Sequence, residues 1–440
     1  MKKKENLKNN IYELRTFLIL WLTQSFSALG SSMTSYALVI WSYQQQGKAL
    51  VTSMLMVSSY APYVLISIFA GALSDRWNKK RTMLVCDAVA AATSVAVLLL
   101  LISGRLRIWQ LYVINSINGL MNTVQQPASE VATTRILPKK YYQKVGGFRY
   151  FSYALQSILT PIAATAMLGI WGMGTIVAFD LFTFAIAFLS LAFIINIPEG
   201  KAVEEKKEGI LISAKQGLSF LKQNRGILDL ILFLSAINLT ASIYNAAFPA
   251  MMLSRNGGSE KAMGAVNTTI GITMLIGSII SSAMKAPKSR VRAICNSLLL
   301  SMSTENLLLA VGRSLPVWCI AGFLGWIAIP IMSANLDAIM RLYIPEDMQG
   351  RVYSARNTLQ FFTIPVGYFM GGFLVDKVFE PFMGIQGKGS LAVALVGSGK
   401  GSGAALLFLV LAVVGTVTCL YFRNDRNIWA LEKGSIQNEA

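Results

Sequence analysis

Hydrophobic positions in this chain come in long unbroken runs, not in the two-residue alternation of a half-buried strand. Twelve runs of helical length occupy residues 16–43, 49–73, 82–103, 108–132, 147–170, 173–196, 227–253, 260–284, 292–311, 316–340, 355–375 and 404–422. Each approaches or reaches the roughly 20 residues a helix needs to cross about 30 Å of hydrocarbon. Membrane barrels read differently, as segments of about ten residues with alternating hydrophobicity. The pattern therefore predicts an all-α membrane protein of twelve transmembrane helices, with lipid bilayer as its solvent. The first run follows the basic Met1-Lys2-Lys3-Lys4 but is too long for the apolar region of a signal peptide.

Composition agrees with the pattern. Of 440 residues, 54% are hydrophobic and only 14% charged, too few to cover a water-facing surface. A net charge of +18 would point to nucleic acid in a soluble protein, but here the basic residues lie between the runs or within three residues of their ends. With both termini cytoplasmic, 30 of the 39 Lys and Arg fall on the cytoplasmic side and 9 on the other. The excess sets that orientation in a plasma membrane, and no nucleic-acid partner is expected. Cys86, Cys295, Cys319 and Cys419 each sit singly in a different run, and the chain has no histidine. Neither a disulfide framework nor a metal site is expected.

The longest charged connection, 197–226, separates six runs from six. Glu130 precedes Pro138 as Asp337 precedes Pro345, at the same spacing of eight, and each acid is followed by an arginine, Arg135 or Arg341. Two parallel, pseudo-symmetric six-helix bundles are therefore expected, residues 1–197 and 227–440, joined by a cytoplasmic linker at 198–226. That is an architecture of secondary transporters.

Polar side chains in these runs form stripes, although an amide in hydrocarbon is costly without a partner or water. In span four Asn115, Asn118, Asn122, Gln125 and Ser129 follow steps of three and four, one helix face. Span seven repeats the pattern with Ser235, Asn238, Ser242 and Asn245. Span one does so with Gln24, Ser27, Ser31 and Thr34, and span ten with Pro330, Ser333 and Asp337. Singly, such residues are interhelical hydrogen-bond glue. On every third span together, they predict a shared watery cavity. Tyr244 and Trp326 are candidates to stack on a bulky solute there. Span twelve, with little but aliphatic side chains, is expected at the periphery, as is span nine.

Acids within or at the margins of spans are functional candidates or paired structural groups. Glu130 and Asp337 have arginines nearby in sequence, which favours ion pairs while keeping them as coupling candidates. Asp87, close behind Arg81, reads as an ion pair. Asp180 and Glu305 lie deeper with no cationic neighbour in sequence, so each is suited to take up and release a proton. The segment Gly397-Ser398-Gly399-Lys400-Gly401-Ser402 lacks the spacing of a phosphate loop and reads as a flexible tract. No cofactor is expected. An ion gradient is the expected energy source, since one charge crossing about 100 mV yields about 2.3 kcal/mol, a roughly fifty-fold concentration ratio.

The loop after span two reads Gly71-Ala72-Leu73-Ser74-Asp75-Arg76-Trp77-Asn78-Lys79-Lys80-Arg81. It resembles the signature loop of the major facilitator superfamily, with Asn78 in place of the second glycine. The resemblance implies a conformational latch at Gly71, Asp75, Arg76, Lys79 and Arg81. Further stretches resemble the macrolide-efflux branch of its drug exporters: Gln126-Pro127-Ala128 leading to Ile136-Leu137-Pro138, Phe179-Asp180, Gly217-Leu218 through Leu221-Lys222-Gln223-Asn224-Arg225-Gly226, Phe248-Pro249 and Gly350-Arg351-Val352. The span-four arginine of many proton-coupled antiporters is absent, with Asn115 or Asn118 in its place. Their span-five glycine motif survives only as Thr160-Pro161-Ile162-Ala163-Ala164-Thr165.

The expected function is secondary export of an amphipathic or hydrophobic small molecule, macrolide-like drugs included, by a monomer that exchanges it for protons. No enzymatic activity is expected. Two other readings stay open: an importer of a small solute, and a non-transporting sensor or accessory membrane protein. An importer of a charged solute would be expected to hold a mid-membrane cation, which this chain lacks.

Overall fold

The computed structural model describes residues 2–136, 142–198, 210–345, 348–387 and 389–438; their side chains are described except at 2–13, 67–76, 134, 142–150, 210–214, 341, 349–350, 354 and 433–438. The described residues contain no strand. Six long helices come first: α1 (Lys2–Gln46), α2 (Ala49–Arg76), α3 (Lys79–Ile102), α4 (Ile108–Ile136), α5 (Tyr142–Trp171) and α6 (Met173–Leu189). A short α7 (Ile210–Gln223) falls in the expected linker. It leads to α8 (Arg225–Ser254), α9 (Glu260–Ala283), α10 (Arg290–Val311), α11 (Leu315–Trp326) and α12 (Ile329–Tyr343). The remainder is α13 (Gln349–Phe361), α14 (Thr363–Phe373), α15 (Glu380–Gly384), α16 (Leu391–Val396), α17 (Ser402–Arg423) and α18 (Arg426–Asn438).

Continuous apolar sequence becomes helix because, without water, each peptide group must find its partner inside its own segment. Ten stretches among the described residues are long and apolar enough to cross a membrane, and they coincide with ten of the twelve predicted runs. The other two runs lie in α1 and α4, which are 45 and 29 residues long. Their hydroxyl and amide stripes dilute the apolar character that defines the ten. Predicted spans ten and eleven are each broken. Pro330, second residue of α12, lacks the N–H that would continue α11, and α13 gives way to α14 just before Pro365. One π-turn, Ser190–Ile194, follows α6 and another, Leu374–Phe379, follows α14.

By internal contacts the chain forms two compact units, Met1–Trp41 with Ser58–Lys207, and Ser42–Val57 with Glu208–Ala440. In the first, α3 packs on α4 and α6. Small residues let helices touch: a Cβ added to Gly119 of α4 would lie 2.1 Å from the Ser59 carbonyl oxygen of α2, and one added to Gly30 of α1 would lie 2.4 Å from Thr183 Oγ1 of α6. Asn78, standing where the related signature has glycine, caps α3, its side-chain oxygen accepting from the Arg81 backbone N–H at 3.0 Å.

In the second unit, α10 is packed by α17, α11 and α12, and α8 by α14 and α17. Ile294, Leu298, Glu305 and Leu309 of α10 are buried on the side that meets these helices, while Leu300 and Leu307 are exposed on the other. Span twelve, α17, buries Leu407, Phe408 and Leu411 and exposes Val413, Val417 and Tyr421 on its other side.

Arg255, just past α8, is 7% exposed, and its guanidinium donates to the carbonyls of Leu309, Ala310 and Val396 at 2.8 Å each. The first two belong to the last turn of α10, whose carbonyls have no intrahelical donor. Arg255→Leu is expected to strand these carbonyls and destabilise the unit by about 2–4 kcal/mol, seen as a lower melting temperature of the detergent-solubilised protein.

Candidate functional site

Among the described residues the first unit holds two buried carboxylates, Asp87 and Asp180, and the polar stripes lead to both. Asp87 of α3 is 8% exposed. It accepts from Gln125 Nε2 of α4 at 2.6 Å and from Gln24 Nε2 of α1 at 3.4 Å. Asp180 of α6, 3% exposed, accepts from Ser31 Oγ of α1 at 2.9 Å and Ser94 Oγ of α3 at 3.1 Å. Neither has a cationic partner among the described residues. The seven residues from Gln24 to Ser31, and from Asp87 to Ser94, are two helical turns, about 10 Å of rise. Spans one and three thus present the same pair of levels, one acid at each.

The sequence reading of Asp87 as paired with Arg81 is corrected. Arg81 is exposed, and Asp87 lies nearly two turns further into α3, facing the amides of α1 and α4. The signal was present, since Gln24 and Gln125 are both members of the predicted stripes; what sequence could not supply was which third helix they face.

Other stripe members divide. Asn118 Oδ1 of α4 accepts from Thr93 Oγ1 of α3 at 2.9 Å, ordinary interhelical glue. Ser27 and Asn115 are half-buried and Asn122 is exposed, and none of the three makes a hydrogen bond among the described residues. Glu130 is exposed on α4, while Arg135 reaches the Pro198 carbonyl at 3.4 Å.

In the signature loop, Gly71, Asp75 and Arg76 lie in the last turns of α2, with their side chains outside the described residues. Lys79 is buried and Arg81 exposed. Lys80, which the sequence reading passed over, donates to the Ala192 and Ile195 carbonyls at 3.0 and 2.7 Å. Those carbonyls belong to the π-turn after α6 and to its C-cap, so Lys80 ties the loop to the end of span six.

In the second unit the stripe of α8 meets the break between α13 and α14. Ser235 Oγ donates to the Leu359 carbonyl at 3.0 Å and Asn238 Nδ2 to the Gln360 carbonyl at 3.1 Å. Asn245 is exposed. Glu305 of α10, 4% exposed, accepts from Trp326 Nε1 at 2.9 Å. Gly325 makes room for it, since a Cβ there would lie 2.4 Å from Glu305 Oε2. Tyr244 is 7% exposed, stacked on Phe248 at 5.5 Å and edge-on to Phe408 at 5.2 Å. Tyr244 and Trp326 thus serve packing and a buried acid. Asp337 is exposed on α12, within electrostatic reach of Arg356. No group of three or more acid or cysteine side chains among the described residues could hold a metal ion.

Comparison with known proteins fits this arrangement. Two macrolide efflux A proteins align along most of their length. That of Streptococcus pyogenes is 23% identical over 375 residues, 84% of this chain and 92% of the relative. That of Enterococcus faecalis is 23% identical over 325 residues, 73% of this chain and 99% of the relative. A bacterial homologue of the human lysosomal transporter Spinster, solved in an inward-facing, unoccupied conformation, matches with a TM-score of 0.67 at 10% identity, covering 97% of this chain and 98% of that one. The family model of the Major Facilitator Superfamily matches residues 20–241, half of the chain, and the protein belongs to that superfamily.

Proposed function

We propose that this membrane transporter exports amphipathic or hydrophobic compounds, macrolide-like drugs among them, in exchange for protons. It works as a monomer with twelve spans in two six-helix bundles, 1–197 and 227–440, both termini cytoplasmic in the plasma membrane. A central cavity lined by spans one, four, seven and ten opens to each side in turn. Ser27, Asn115 and Asn122 offer it unspent polar groups, while Gln24 and Gln125 link its wall to Asp87.

The observation that carries the reading is the pair of buried carboxylates, Asp87 and Asp180, held by neutral donors of neighbouring helices with no cationic partner among the described residues. A proton can neutralise such a group, and its departure leaves a charge that water or a new partner must meet. Asp180 is the coupling group this geometry favours, with Glu305 its counterpart in the second unit; Glu130 and Asp337, exposed near charged loops, are the weaker candidates. The efflux relatives support direction and substrate class, and the loop at Asp75 supports a latch that closes and releases as the bundles rock.

The test is accumulation of a radiolabelled macrolide in cells carrying the protein and in cells with empty vector. Export predicts several-fold less drug in the carriers, and equal levels once a protonophore collapses the gradient. Equal levels under both conditions across a panel of amphipathic drugs would remove the reading.

A further inference from the structure

Helix α2 begins without a cap of its own. The residue before Ala49 is Lys48, whose side chain offers no acceptor, and the first turn holds no acid. The first N–H groups of a helix have no intrahelical partner and form its electropositive end. Here they are met from 327 residues away: Asp376 Oδ1 accepts from the Ala49 N–H at 2.9 Å, and its Oδ2 from the Leu50 N–H at 2.8 Å.

Two features place that carboxylate. Asp376 sits in the π-turn Leu374–Phe379, a geometry common at functional positions. One turn earlier Gly372 lets the backbones meet, since a Cβ there would lie 2.1 Å from Ser53 Oγ and 2.6 Å from Leu50 Cα. The hairpin is tied at its tip as well, where Gln44 donates its amide to the Glu260 carboxylate. Beside it lies a cavity of about 610 Å³ bordered by Gly47, Ser254 and Lys400. These contacts explain why Ser42–Val57 groups with the second unit while the rest of α1 and α2 groups with the first.

From this geometry we infer that Asp376 is a latch: it holds the Ser42–Val57 hairpin shut by capping α2, and it must let go for that end of the transporter to open. The inference rests on the alternating-access reading above. It gives α2 an acid at each end, Asp376 at its start and the Asp75 loop at its finish. A carboxylate that both caps and releases a helix start suits a switch, because the hydrogen bonds it gives up can pass to water once the hairpin separates.

The test uses the full-length protein purified in detergent. Thr52, fully buried, is replaced by cysteine, and labelling by a hydrophilic maleimide is timed against the unmodified chain. Adding Asp376→Ala, which removes both accepting oxygens, is expected to speed labelling of the introduced thiol about tenfold, the scale of a lost helix cap. A third variant adds Lys48→Asp, giving α2 a local cap. If labelling then stays fast, Asp376 holds the hairpin to the second unit, as inferred. If it slows to the original rate, Asp376 only stabilises the helix and the latch is overturned. An unchanged rate with Asp376→Ala alone overturns it too. No drug enters this assay, so failure of export would leave the labelling result standing, and failure of the latch would leave export standing.

Discussion

Everted membrane vesicles carrying Asp180→Asn are expected to lose uphill drug accumulation entirely, from tens-fold in the native protein to the level of protonophore-treated vesicles. Asparagine keeps the shape of the side chain and one carbonyl oxygen to accept from Ser31 or Ser94. What it removes is the ability to bind and release a proton. The available work per charge, about 2.3 kcal/mol at about 100 mV, sets the native gradient at roughly fifty-fold, and without coupling nothing sustains it. Drug binding, measured by equilibrium dialysis, should survive. Uphill accumulation persisting in Asp180→Asn would move the coupling role to another acid, and Asp87→Asn would be the next variant to assay.

Gly119→Leu is expected to disrupt the packing of α4 against α2. Its new Cβ would meet the Ser59 carbonyl oxygen at 2.1 Å, a backbone atom that cannot rotate away. Overpacking of this kind costs about 1–3 kcal/mol, and a loss of that size lowers cellular abundance several-fold. Gly169→Ala is the control: nothing lies within 4 Å of an added Cβ, and glycine inside a helix is less stable than alanine by roughly 0.5–1 kcal/mol. Fluorescence-detected size exclusion should show Gly119→Leu depleted and Gly169→Ala at or above the native level. If both behave alike, the close approach of α4 to α2 is not what limits assembly.

Much of the fold was legible because the bilayer allows few alternatives. A run such as 404–422 has to be helical in hydrocarbon, and it is, as α17. The stripes were legible for a related reason: three- and four-residue steps put Asn115, Asn118, Asn122 and Gln125 on one face wherever that face points. Breaks were harder to read. Pro330 divides span ten while Pro62, Pro127 and Pro161 lie inside unbroken helices. Proline removes a donor in every case, so the surrounding helices decide whether the backbone separates.

Partners of the acids were the least legible. Asp87 has Arg81 six residues back in sequence, yet its donors come from 38 and 63 residues away, on helices whose rotation is set by tertiary packing. Glu305 has a partner, Trp326, that lies 21 residues away on α11. The indole N–H of Trp326, which needs an acceptor, finds one in Glu305, a pairing that sequence spacing does not disclose.

The distance in sequence between Ala49 and Asp376 has a consequence for biosynthesis. When the ribosome has delivered the second helix, the residue that completes its start is still hundreds of codons from translation. The hairpin therefore has to wait in a provisional arrangement, its first amides served by water, until the eleventh span has been inserted. Final closure of that corner is a late event in the protein's maturation, and a nascent chain stalled before residue 376 should keep the hairpin open to proteases that the finished molecule resists.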